Sequence, residues 1–144
     1  MLAVTDNIYQ NTIPSVIEII GSETNTIHWY VRKACSEAEE SFLFDTRVIV
    51  NELLSNAVRH GNMLNKDKKV EIIVYRQKDK LYITVEDQGK GYDYDCILNY
   101  DINCEQKICD MKETGRGILL VKNLSEKLIF NNKGNRITVV KSIE

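Results

Sequence analysis

Between Val48 and Asn62 the chain reads VIVNELLSNAVRHGN, and its polar and apolar positions sort onto two arcs of one helix. Glu52, Asn56 and His60 recur every four residues, so at about 100° per residue their side chains drift only about 40° per step and share a stripe. Ile49, Val50, Leu53, Leu54, Ala57 and Val58 fill the adjoining arc. A helix patterned in this way is shaped to line a pocket floor, with its apolar arc docked on a core and its polar stripe at the edge of that contact. Upstream, the β-branched run Val16 to Ile20, closed by Gly21, predicts a strand. Ser22 then offers an N-cap for a first helix that carries Ile27, Tyr30, Val31 and Ala34 at helical spacing and reaches about Glu40. Asp45 is the expected cap of the second helix, which stops near Gly61 and Asn62. Residues 1 to 13 have no clear period and read as a loose leader or an edge segment.

Downstream the period shortens to two. Val70 to Gln77 and Leu81 to Glu86 alternate apolar and polar positions, and Lys78, Asp79 and Lys80 between them suit a tight hairpin. From Asp87 to Arg116 periodicity dissolves into tyrosines, aspartates, glycines and cysteines, the mark of a functional loop or lid within a compact domain. Gly117 opens a short amphipathic helix, Lys127 to Phe130 begins another strand, Asn131 to Asn135 is a turn, and Ile137 to Val140 is the last strand. The order is strand, two helices, hairpin, loop, helix, hairpin. It predicts an α+β fold, a two-layer sandwich with helices on one face of a mixed, mostly antiparallel sheet.

Composition narrows the class. The 144 residues suit a single domain, 43% hydrophobic and 28% charged, and no apolar run approaches the roughly 20 residues of a membrane span. The first ten residues lack the pattern of an export signal, so a cytoplasmic location is expected. A net charge of −2 with scattered basic residues argues against nucleic acid as a partner. Cys35, Cys96, Cys104 and Cys109 lack paired spacing and read as reduced thiols; Cys104 and Cys109 with His28 or His60 make a poor metal set because the spacing is irregular. Trp29 and Tyr30 on the first helix suit core or a dimer surface.

Two further motifs carry chemistry. In VEDQGKGYDYD a strand runs into Asp87, then Gly89 and Gly91; a carboxylate at a strand end accepts from an amino group, and the glycines admit a flat ligand to the backbone. In ETGRGILLVKNL, Thr114, Gly115, Arg116 and Gly117 form a turn at a helix start, where free N–H groups and the helix dipole favour phosphate. There is no P-loop, so phosphate capture would use another geometry.

Taken in order, these motifs resemble the ATPase and kinase superfamily shared by gyrase, heat-shock chaperones, sensor histidine kinases and mismatch-repair ATPases, and within it the stand-alone anti-sigma-factor serine kinases of bacteria. NELLSNAVRHG matches that family's N box, DQGKG its first glycine box and TGRGILLV its second, over about residues 15–141. The resemblance implies the Bergerat fold, a lid over residues 92–114, and ATP with Mg²⁺ as ligands. It assigns Asn56 to the Mg²⁺ that bridges the phosphates and Asp87 to the adenine amino group. Arg59, His60, Thr114 and Arg116 are placed near the nucleotide, with Gly89, Gly91, Gly115 and Gly117 around it, and Glu52 takes the position of the general base. Implied partners are an anti-sigma-factor antagonist as protein substrate, a sigma factor, and a second copy in a homodimer. The family usually has Gly-Thr at the final hairpin, where Gly134 is here followed by Asn135 and Arg136; Thr138 substitutes only if the turn is shifted. A second reading keeps nucleotide binding without phosphotransfer, as a regulated module that sequesters a sigma factor or another regulator. A sensor histidine kinase fragment is disfavoured, because 144 residues leave no room for a phosphoacceptor helical hairpin.

Overall fold

A computed structural model describes residues 5–91 and 113–144. The elements run β1 (Thr5–Pro14), α1 (Glu18–Ala34), α2 (Glu40–Asn56), a π-helical segment (Ala57–Gly61), β2 (Lys69–Gln77), β3 (Lys80–Glu86), α3 (Glu113–Leu124), β4 (Lys127–Phe130) and β5 (Arg136–Ser142). The five strands form one sheet in the order β1-β2-β3-β5-β4, and every pairing is antiparallel.

Alternation in the central strands explains the two layers. Val70, Ile72 and Val74 of β2, Leu81, Ile83 and Val85 of β3, and Ile137 and Val139 of β5 are buried in one cluster with Ile27, Val31, Ile49, Leu53, Leu54, Ile118 and Val121 of the helices. Burying each such side chain contributes roughly 1.5–3 kcal/mol. α2 packs between α1 and α3 and is the middle helix of the layer. On the other sheet face Tyr75 and Tyr82 stack with ring centroids 4.7 Å apart.

Several expected boundaries move. Val16 to Ile20 is not a strand: α1 begins at Glu18, because Ile20, Glu23, Thr24, Ile27 and Val31 make one buried helical face that outweighs the β preference of the short run. The first strand is instead β1, which among the described residues is an edge strand paired with β2 alone, and this decides between a loose leader and an edge segment. Asp45 does not cap α2. Phe42 and Leu43 are buried and carry the helix back to Glu40, leaving Asp45 within it, 3.6 Å from the Lys141 ammonium. α3 likewise starts at Glu113, one turn before Gly117.

Candidate functional site

Three elements meet where α2 ends. Glu52 is half-buried and Asn56 is buried, one turn apart on the middle helix. Gly117 of α3 lies against both: an added Cβ would overlap the Glu52 carboxylate and come within 3.3 Å of Asn56 Nδ2. The bare backbone lets α3 lie this close without displacing the Glu52 carboxylate. Asn56 Nδ2 has no hydrogen-bond partner among the described residues although it is buried. The two amide atoms are interchangeable by a flip, so one polar end of the Asn56 amide is unpaired among the described residues.

Helix α2 gives way at Ala57 to π-helical turns, closed by Asn62 N–H donating to Ala57 O at 2.8 Å. His60 lies in this segment and is exposed. Arg59 is exposed too, its Nε donating to Ser55 Oγ at 3.1 Å.

What the π turn achieves is a tight joint with the loop after β3. Asp87 is buried, its Oδ1 accepting from Gly89 N–H at 2.8 Å. A Cβ on Gly61 would strike the Asp87 carboxylate, and one on Gly89 would strike the carbonyl of Gly61. Burial pushes the Asp87 carboxyl above its ordinary range; the Gly89 N–H opposes that shift, Glu86 adds to it, and Lys133 and Lys68 draw it back. Gly91 has φ of 89° and sits against the Lys133 carbonyl, a backbone that a side chain would strain.

Sequence reasoning gave no site role to three residues of this joint. Gly61 was visible only as a helix stop. Asn62 is buried, donating from Nδ2 to Ser15 Oγ at 2.8 Å and to Lys69 O at 3.0 Å while its Oδ1 accepts from Gln88 N–H at 2.7 Å. Asn135, the departure from Gly-Thr, donates from Nδ2 to Asp87 O at 2.6 Å and accepts from Asp87 N–H on its own carbonyl at 3.0 Å. The register places Thr138, the hydroxyl that would substitute only if the turn were shifted. Thr138 pairs with Thr84, their hydroxyls 3.0 Å apart, on the sheet face opposite the alternating buried set that leads to Asp87. The turn is not shifted, and Asn135 stands where a hydroxyl was expected.

α3 includes Thr114, Gly115 and Arg116 in its first turns. Cys96, Cys104, Cys109 and most of the expected lid lie outside the described residues; Cys35 is a buried free thiol. Trp29 and Tyr30 are exposed on α1, which excludes the core reading for them. No helix among the described residues is long and apolar enough to cross a membrane.

A middle helix carrying a carboxylate and a buried amide thus meets a glycine of α3, and the turn that follows it packs through glycines on a buried strand-end aspartate. Residues 24–141 match the histidine kinase-like ATPase domain. The chain belongs to that family. A histidine kinase-like ATPase domain is a nucleotide-using fold, and the match covers every described element from within α1 to β5. Among curated relatives, the chain is 25% identical over 104 residues to the serine-protein kinase RsbW of Staphylococcus epidermidis, and 27% identical over 106 residues to that of Staphylococcus aureus strain MSSA476. Each alignment covers 69% of this chain, which spans 65% of the length of these relatives.

Proposed function

We propose that the chain binds ATP with Mg²⁺ beside Glu52, Asn56, Gly117 and Asp87 and acts as a protein serine/threonine kinase. Its protein substrate is an anti-sigma-factor antagonist, and in its other partner state it holds a sigma factor as an anti-sigma factor. The observation that carries this reading is the orphaned Asn56 amide next to the Glu52 carboxylate, both under the bare backbone of Gly117. Similarity to serine-protein kinases supports it.

In this reading Asp87 accepts a hydrogen bond from the adenine amino group, and burial excludes water that would compete for that bond. Asn56 fits Mg²⁺ through its amide oxygen, since this ion takes few protein ligands and completes its shell with phosphates and water. When bound, Mg²⁺ neutralises phosphate charge and orients the terminal phosphoryl group. Glu52 accepts the proton of the substrate hydroxyl as that oxygen bonds to the terminal phosphorus; the bond from phosphorus to the bridging oxygen breaks, and ADP carries away the electron pair. Gly89, Gly91 and the first turn of α3, with Gly115, Thr114 and Arg116, supply backbone and polar contacts to the nucleotide.

The test pairs radiolabelled ATP and Mg²⁺ with purified antagonists from the same genome. Phosphoserine or phosphothreonine is expected on one of them, and Glu52→Gln is expected to lower kcat by about 100-fold or more while ATP affinity stays within a few-fold. A chain that binds ATP and a sigma factor but phosphorylates nothing is a sequestering module and not a kinase. Light scattering tests the implied homodimer.

A further inference from the structure

Glu52 has a second side. Besides meeting Gly117 and Asn56, it closes one end of a groove of about 400 Å³ between α1 and α2. Phe44, Arg47, Val48, Asn51 and Glu52 form one stripe of α2 at helical spacing, and Gly21 and Asn25 face them from α1.

Gly21 is the informative residue of this groove. It lies inside α1, where glycine is the least favourable residue after proline, and an added Cβ would meet nothing within 4 Å. It is not among the glycines of positive φ, and no neighbour crowds it. The bare position keeps one wall of the groove low. Toward the other end of the groove Phe44 is 65% exposed, and between the two ends the Arg47 guanidinium spans to Asn25 Oδ1, putting a positive charge there.

We propose that this groove seats the phosphorylated segment of the protein substrate and reads its sequence; the proposal rests on the kinase reading. Phe44 lies eight residues before Glu52, about 12 Å along the helix, which an extended segment covers in about four residues. Arg47 lies about 7 to 8 Å from the Glu52 end, or about two residues. The occupant therefore carries its serine or threonine at Glu52, where the bare Gly21 leaves room for its backbone, an acidic side chain about two residues away over Arg47, and an apolar side chain about four residues away over Phe44.

The test is steady-state kinetics with the full chain and the antagonist that accepts phosphate from it. Gly21→Trp fills the groove from an exposed helical position, and Phe44→Ala removes its apolar contact. Each is expected to raise KM for the protein at least about tenfold while KM for ATP moves less than about twofold. Gly21→Ala, which adds only a methyl group in open space, is expected to raise it far less than Gly21→Trp. Arg47→Glu raises KM in the same way, and replacing the substrate's acidic residue by lysine restores part of the loss, which a merely structural role would not do. If the wild-type chain transfers phosphate and these variants keep the wild-type KM for protein, the groove assignment is overturned and the kinase reading stands. If the wild-type chain phosphorylates no antagonist, both fall.

Discussion

Asp87 is held as a buried carboxylate that the fold only partly compensates. Burial raises its pKa above the ordinary 3.8, against the pull of the Gly89 N–H. The folded chain therefore binds this proton more tightly than the unfolded chain, so the group's stabilising contribution is full below pH 3.8 and is lost as pH rises through the folded value. Asp87→Asn is accordingly expected to raise the Tm of the ligand-free protein at pH 7, with the gain shrinking toward pH 4, as thermal melts across that range will show. The same change is expected to weaken ATP binding by about 10- to 100-fold, measured by calorimetry, because it exchanges a charged acceptor for a neutral one. Gly117→Ala separates position from stability in another way. Alanine favours the helix, yet its Cβ takes the space of the Glu52 carboxylate, whose flexible end can swing aside. The expected outcome is an undiminished Tm with kcat lowered about 10- to 100-fold.

At the scale of elements, pattern reading succeeded where one face decides the structure and failed where two preferences compete. The β2–β3 hairpin was legible because Val70, Ile72 and Val74 and then Leu81, Ile83 and Val85 alternate without interruption. Val16 to Ile20 was misread, since five residues of β-branched composition say less than a buried helical face that extends to Val31. The π-helical segment was not legible at all. An extra residue per turn leaves no mark in a hydrophobic pattern this short, and its reason lies across the fold, in the packing of Gly61 on Asp87. β1 is attached by a polar link. Tyr9 donates its hydroxyl to buried Glu23 at 2.8 Å, and Asn11 Nδ2 donates to the same carboxylate at 3.0 Å. Burial and then the Glu23 bond push the Tyr9 phenol up to about 12. Its contribution is full below pH 10 and is lost as pH rises through about 12. Tyr9→Phe is expected to lower stability by about 1–3 kcal/mol in urea melts at pH 7, because it leaves a buried carboxylate short of a donor.

At the scale of the whole molecule, the site is a seam between layers that binding should fasten. α2, α3 and the loop after β3 converge on it from three parts of the chain, so a ligand that touches Asn56 and Asp87 bridges them. ATP with Mg²⁺ at about 100 times its Kd is expected to add about 2.7 kcal/mol of stability, seen as a Tm rise of several degrees in a thermal shift assay, and Glu52→Gln is expected to keep that rise while Asp87→Asn loses about half of it or more.

The sequence by itself determined the two-layer α+β architecture, because local periods of 3.6 and 2 say which elements form and which face each one buries. It also marked Glu52, Asn56, Asp87 and Gly117, whose residue types are unusual for their places in those periods. Only the tertiary structure decided that Gly117 lies on Glu52 and Asn56, that Gly61 and Gly89 clasp Asp87, and that Asn135 and not Thr138 stands beside it. These are contacts between segments far apart in the chain. A pattern within one segment reports which face is apolar, but the distance of closest approach between two backbones is set by the packing of every residue between them.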